Sequence, residues 1–502
     1  MISPTASSRR RVLVWLIPAL WTVALGLWGL SRQGSVWRDE AATWQVAQRS
    51  TAEICRMLGN VDVVHGVYYL LMHGLFACFG PGTTVLRLPS VLATAVAAGC
   101  VAVVGHRLAG GYAGLTGGLA FGLLPAVQFY LQEGRPYALV AAGAGISTLL
   151  LVSALQGRAR TAHWVAYGGT VLLCGALNWL SLLMLPAHLA TLAWTRAGRG
   201  VWRRWATAAS AAVVCALPLV LFSRGQSAQV SWIPPLTWHM LIGPGVLLLI
   251  GGAGALLDRP AVGRLSVAAV GLPLLAVPQL GLIALSLVQP LFLDRYVLFS
   301  LLGLALLTGT FVGAATRAAR PRFPRASAWI LPVALAVAAS ALLPQSLAKR
   351  SPASRVDDVV AIASDVRRMT ESGSAVLFVP SARRDTKSVS PAAFAGLRDI
   401  ALTESPEDSG TLKGVEADPD RIRAAMLAQR RILLVTDAAR VARPVTARRD
   451  RTKLAVLEEH FTAVADRQVR GRRVTVYERL APARRTLPDD PGGAGGGHRG
   501  RA

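Results

Sequence analysis

The sequence predicts a mainly α protein: a polytopic membrane helical bundle of about eleven spans, followed by a small α/β domain. Three observations predict it. Only 16% of the 502 residues are charged and 53% are hydrophobic, whereas a soluble chain carries about a quarter charged residues. Apolar runs recur from Val12 to about Pro344, each about 20 residues long and so able to cross a hydrocarbon layer of about 30 Å as helix. After Lys349 the composition turns to mixed charge, and no further span follows. That shift divides the chain into a membrane domain, 1–346, and a domain over 350–480.

The arginines order the spans. Arg9, Arg10 and Arg11 precede the run Val12–Leu30. No small-residue cleavage site follows it, so the run reads as an uncleaved first span with a cytoplasmic N-terminus. The next apolar run, Val67–Phe79, is short and contains His73. If it crossed, the clusters at Arg158 and Arg160, at Arg196 to Arg204 and at Arg317 to Arg325 would all fall outside. Laid along the outer interface, it leaves every cluster inside, as the positive-inside rule requires. The spans are then roughly 12–31, 84–106, 111–131, 137–156, 163–178, 179–195, 205–223, 239–257, 265–288, 295–316 and 327–345. An odd number of crossings sends the C-terminal domain to the extracytoplasmic side.

The net charge of +26 is explained by these clusters. The arginines form no basic face or nucleic-acid module, so no nucleic-acid partner is expected. Cys55, Cys78, Cys100, Cys174 and Cys215 lack metal-site spacing and read as small apolar residues; a Cys55–Cys78 disulfide would need both outside.

Four pieces reach the outer face: the long loop 32–83, the turn Gln132–Tyr137, the loop Arg224–Trp238 and the segment Gln289–Tyr296. The first carries Asp39-Glu40 at the start of an interfacial helix. The pair either complements the helix dipole or offers a general base or metal ligand at a membrane-embedded cavity. His65 precedes Tyr68 and Tyr69, and reads as a surface cap or as a headgroup ligand. Arg87 sits near the outer end of the second span, to snorkel or to hold a phosphate. Glu133 and Arg135 join two apolar helices just before Tyr137, as a loop ion pair or as a functional pair. Arg295-Tyr296 opens the tenth span, where Arg295 is an interfacial anchor or a phosphate ligand. Acids, a histidine, tyrosines and three arginines on one side of a bundle suit a ligand with a lipid tail, a phosphate and a sugar.

At these residues the sequence resembles the polyprenyl-phosphate-sugar-dependent glycosyltransferases of the GT-C fold, nearest the bacterial protein O-mannosyltransferase and aminoarabinose transferase relatives. Asp39-Glu40 follows the first span. His65…Tyr68-Tyr69 stands where the family has His-Pro-Pro-Leu-Tyr-Tyr. Arg87-Leu88-Pro89-Ser90 matches Arg-Leu-Pro-Ser, Glu133-Gly134-Arg135-Pro136-Tyr137 is similar to Glu-Ala-Arg-Pro-Tyr, and Asp294-Arg295-Tyr296 is similar to a late Arg-Tyr motif. The five motifs keep their order over about residues 12–345. Two positions depart: Gly66-Val67 replaces Pro-Pro, loosening the approach to the interfacial helix, and Gly134 replaces Ala.

The resemblance implies a membrane glycosyltransferase of the bacterial cell membrane. It would transfer a sugar, mannose by the resemblance alone, from a polyprenyl-phosphate donor to an extracytoplasmic glycan, lipid or protein acceptor with inversion. Asp39 would be the base and Glu40 its assistant. His65, Tyr68, Arg87, Glu133, Arg135, Tyr137, Arg295 and Tyr296 would bind the donor and its phosphate. Some relatives place a divalent metal ion near the equivalent acid, which would put it on Asp39. The competing classes are a lipid or solute transporter or flippase, which would more often show repeated halves, and a non-catalytic membrane scaffold.

In the C-terminal domain, helical stretches at Val359–Met369, Asp420–Gln429 and Leu454–His460 alternate with strand-like Ala375–Val379, Arg431–Thr436, Phe461–Asp466 and Arg473–Tyr477. That order predicts a small α/β sandwich with some parallel pairing. It holds no phosphate loop, metal cluster or nucleophile elbow, so it is expected to cover the outer face or help bind acceptor. Residues 481–502, rich in glycine, are expected to be disordered.

Overall fold

The computed structural model describes residues 4–226, 232–259, 263–370 and 374–480, with side chains from Val12 onward. The predicted tail over 481–502 lies outside the described residues. Each of the eleven predicted spans is a helical segment. The first runs Pro4–Leu27 and the second Thr83–Ala109. The third is broken before Pro125, into Gly111–Leu123 and Pro125–Tyr130. The fourth to ninth are Tyr137–Leu155, Thr161–Leu177, Met184–Trp194 (after a short turn of 3₁₀ helix), Arg199–Arg224, Trp238–Leu256 and Val267–Val288. The tenth is Leu301–Ala319, preceded by 3₁₀ turns over Asp294–Ser300, and the eleventh is Ile330–Arg350. Eight of the described helices are long and apolar enough to cross a membrane. The third, fifth and sixth segments are shorter or interrupted.

Three arginine contacts fix which ends of the first to fourth and eleventh segments lie together. At one end, Arg350 closes the eleventh segment by donating to Trp28 O (2.9 Å), Leu25 O (2.6 Å) and Gln128 Oε1 (2.7 Å), near the ends of the first and third. Arg87, at the start of the second, donates to Leu30 O at the same end (2.8 Å). At the other end, Arg107 of the second segment reaches Ser153 of the fourth (2.7 Å). Leu, Val and Ala side chains buried between the segments make the core.

The helix Gly66–Phe79 has 14 residues and rises only about 21 Å, short of a hydrocarbon layer. Tyr68, Tyr69, Met72 and Phe76 are buried on one side, while Val67, Leu70, Leu71 and Phe79 are exposed. Helices Arg38–Ala47 and Thr51–Asn60 precede it, the latter closed by a Ser50/Glu53 capping box. Cys55 and Cys78 are both free, so the disulfide between them does not form.

The C-terminal domain is the predicted α/β unit. Its strands are β1 Ala375–Val379, β2 Arg398–Asp399, β3 Leu402–Glu404, β4 Val415–Glu416, β5 Arg431–Asp437, β6 Phe461–Val469 and β7 Arg472–Arg479. Five form one sheet in the order β2-β1-β5-β7-β6, with β1 parallel to β2 and β5, and β7 antiparallel to β5 and β6. β1 is buried throughout, as suits a strand covered on both faces.

Candidate functional site

The site is at the end of the bundle where the first loop, the turn after Tyr130 and the start of the tenth segment meet. It begins with the helix Arg38–Ala47, whose first turn carries Asp39 and Glu40. Successive helical residues point about 100° apart, so the two neighbouring carboxylates face different surroundings.

Glu40 turns inward and is fully buried. It accepts from Arg87 Nε (2.8 Å) and Nη2 (2.7 Å), from Arg32 Nη2 (2.9 Å to Oε2) and from the Gly134 amide (3.0 Å). Burial pushes the Glu40 carboxyl up, but Arg87 and Arg32 outweigh it and hold the group at about 2. Arg87 spends its remaining N–H groups on Leu30 O and Ser35 O. The arrangement differs from the one expected: Glu40 is enclosed by its partners, and Arg87 faces Glu40 and two backbone carbonyls. Arg32 and Gln33 reach this arrangement through left-handed backbone (φ 46° and 56°), an unfavourable conformation for such residues.

Asp39 turns the other way. Its side chain is 21% exposed and accepts from Arg295 Nη1, 2.7 Å from Oδ2. Arg295 is ringed by Tyr137 and Trp232, each 5.7 Å from the guanidinium carbon, and by Tyr296 at 5.8 Å. Tyr130 donates to Asp294 Oδ1 (3.0 Å), which also accepts from the Arg295 amide and fixes the turn.

Arg135 lies beside His65, Nη2 to Nε2 at 3.1 Å, and its Nε and Nη1 are buried without a hydrogen-bond partner. Burial, then the Arg135 charge, pushes the His65 ring down to about 3, so the imidazole is neutral. The His65 ring packs on Tyr69, whose hydroxyl donates to Asp62. Gly66 fits against Leu58, which a Cβ there would meet at 2.8 Å, and His65 beside it reaches the site. Gly134 is likewise tight: a Cβ would meet the Leu86 side chain at 2.4 Å.

Glu133 is buried with neither carboxylate oxygen hydrogen-bonded. Burial pushes it up to about 7 despite the opposing charge of Arg355, with Glu40 and Asp39 adding to the rise. The Tyr68 hydroxyl, near Arg135 and Glu133, is also buried without a partner. Unsatisfied buried polar groups cost about 1–3 kcal/mol each, so their gathering here calls for an explanation, and a polar ligand that would satisfy them is one.

The donor set does not suit a divalent ion on Asp39. Arg295 already pairs with the Asp39 carboxylate, and among the described residues no group of three His, Cys, Asp or Glu side chains is arranged to hold a metal ion. A cavity of about 780 Å³ lies between the fifth and seventh segments, lined by Trp164, Leu172, Arg203 and Cys215. It contains none of the residues above.

No protein-family model matches the sequence, and neither does any curated protein. Solved structures do match. ArnT from Cupriavidus metallidurans in the apo state superposes with a TM-score of 0.59 at 15% identity, over 94% of this chain and 98% of that one. ArnT bound to undecaprenyl phosphate gives 0.54 at 13% identity, with the same coverage. The chain has the GT-C fold. The arabinofuranosyltransferase AftD from Mycobacteria matches with a TM-score of 0.50 at 16% identity, over 93% of this chain and 41% of that one.

Within this GT-C fold, sequence reasoning missed the contribution from beyond the last span. Arg355 is buried, lies over the Phe129 ring at 3.3 Å and donates to Phe129 O (2.8 Å). Burial, then Arg32, pulls its guanidinium down to about 9, and Glu133 and Glu40 pull it back up. Nothing local in the sequence marks Arg355: it stands 222 positions after Glu133 (355 − 133).

Proposed function

We propose that this GT-C chain is a polyprenyl-phosphate-dependent glycosyltransferase of the bacterial cell membrane, working on the extracytoplasmic side. The observation that carries the reading is the accessible Asp39 carboxylate held 2.7 Å from Arg295, beside Arg135 and Glu133 with unsatisfied polar atoms. The positive-inside rule supports the orientation: the loop clusters at Arg158 and Arg160, Arg196 to Arg204 and Arg317 to Arg325 lie opposite the site, which argues for a cytoplasmic N-terminus and an extracytoplasmic C-terminal domain.

In this reading Asp39 accepts the proton of the acceptor's nucleophile as that atom bonds to the anomeric carbon. The bond from that carbon to the phosphate oxygen breaks, and the electron pair leaves with the lipid phosphate. Attack opposite the phosphate inverts the centre. Arg135 and Arg295 stabilise the departing phosphate. Glu133, titrating near 7, is largely neutral below that pH and can lie near a phosphate without like-charge repulsion. Tyr68, Tyr137, Tyr296 and neutral His65 line the donor's path. ArnT has been solved with undecaprenyl phosphate, which supports a lipid of that class as the carrier here. Mannose is proposed as the sugar on the motif resemblance.

The test is purified protein in liposomes with polyprenyl-phosphate mannose and a cell-envelope extract as acceptor. Release of polyprenyl phosphate with labelled product is expected. Movement of intact donor across the bilayer without cleavage would replace this reading with a flippase.

A further inference from the structure

The helix that carries Asp39 lacks a cap of its own. Its N-cap residue is Trp37, and no side chain from the loop accepts from its first turn. Free N–H groups at a helix start need partners, and one here comes from the other domain. Asp357 Oδ1 accepts from the Arg38 amide at 3.2 Å, and its Oδ2 accepts from Arg38 Nε at 3.0 Å. The same carboxylate accepts from Arg472 Nη2 of β7 (2.9 Å), which also binds Asp385 (2.7 Å). Asp358 repeats the pattern one residue on, accepting from the Val36 amide (3.3 Å) and from Arg470 (3.1 Å). Val359 then donates its amide to Val36 O at 2.7 Å, and Val36, Ala41 and Val359 bury together.

We propose that Asp357 is a positioning residue for Asp39, and that the C-terminal domain holds the catalytic helix in register through it. The proposal rests on the glycosyltransferase reading for its kinetic consequence but not for its structural one. Asp357 is immobilised from the sheet by Arg472 and grips the residue immediately before Asp39. The side-chain position of Asp39 relative to Arg295 therefore depends on a contact made 319 residues away. The segment also carries Arg355, two positions earlier, which donates to Phe129 O. The C-terminal domain is thus a structural part of the site.

The experiment uses the full chain in nanodiscs, with Asp357→Ala, Asp357→Asn and Asp357→Glu. Hydrogen exchange at residues 38–41 should speed at least tenfold in Asp357→Ala, while the amides of β1 and β5 keep their protection. Asp357→Asn, whose carbonyl still accepts from Arg38, should show less than half of that effect on a logarithmic scale, and Asp357→Glu should restore part of the protection. With polyprenyl-phosphate mannose, the kcat of Asp357→Ala should fall tenfold or more with KM for the donor within twofold. Unchanged exchange at 38–41 with an intact sheet overturns the proposal. If the sheet itself loses protection in Asp357→Ala, the Asp357→Asn exchange decides: wild-type exchange with wild-type kcat supports a cap, and global loss overturns it. If no variant or wild type turns over donor but exchange changes as described, the positioning stands and the glycosyltransferase reading fails.

Discussion

Asp39 and Glu40 are neighbours in sequence and opposites in surroundings. Glu40 sits in a closed polar core with two arginines and a backbone amide, which donate to its carboxylate at 2.7–3.0 Å. Asp39 is partly exposed and pairs with Arg295, while Arg135, Arg295, Glu133 and Tyr68 keep buried polar atoms unmatched. The difference teaches how to separate architecture from chemistry among ionisable groups at a membrane surface. The Glu40 carboxylate, both oxygens taken, has no capacity left for a ligand, although Arg32 beside it keeps Nε and Nη1 unmatched; the Glu133 carboxylate, with neither oxygen hydrogen-bonded, is unfavourable until something binds.

That contrast can be broken from either side. Glu40→Ala leaves Arg32 and Arg87 buried without their carboxylate, and removing one partner of a buried pair costs about 3–5 kcal/mol. The variant should show a large fall in thermal midpoint or fail to insert, which detergent-solubilised unfolding would register; unaltered stability would deny the closed cluster its structural role. On the open side, Arg295→Leu should keep the thermal midpoint within a few degrees and lower kcat by about 10²-fold, the scale of losing one preorganised charge stabiliser.

Glu133 sharpens the comparison through pH. Its folded-state pKa is raised from 4.5 to about 7. Between those values the folded chain holds a proton that the unfolded chain releases, so this group makes stability fall as pH rises through the window. Glu133→Gln should remove that fall. It should match wild type near pH 4.5 and exceed it at pH 8 by about 1–3 kcal/mol. Equal thermal midpoints across this range would place Glu133 in a solvated setting.

Much of the fold was legible in the sequence. The eleven segments follow from apolar length, and the demotion of Val67–Phe79 from the arginine pattern agrees with a helix too short to cross. The alternation of β1, β5, β6 and β7 with helices was readable from periodicity. The convergence of Asp39, His65, Glu133, Arg135, Tyr137 and Arg295 came from motif order. What was not readable was direction. Adjacent residues on a helix diverge by about 100°, so Asp39-Glu40 gives no sign of which carboxylate is enclosed, and Arg87 reads equally as snorkelling, phosphate-binding or structural. Arg32 was missed because its reach depends on a left-handed turn between two helices. Arg355, Asp357 and Asp358 were missed because their partners lie hundreds of positions away, where no local pattern marks a contact.

The most direct test of the division between the two carboxylates is Asp39→Asn, assayed for release of polyprenyl phosphate from a lipid-linked sugar. The isosteric change keeps a hydrogen-bond acceptor for Arg295 and removes the base. Transfer should fall by about 10²–10⁴-fold, with donor binding retained and the thermal midpoint close to wild type. Turnover near the wild-type rate in a folded Asp39→Asn protein would contradict the account.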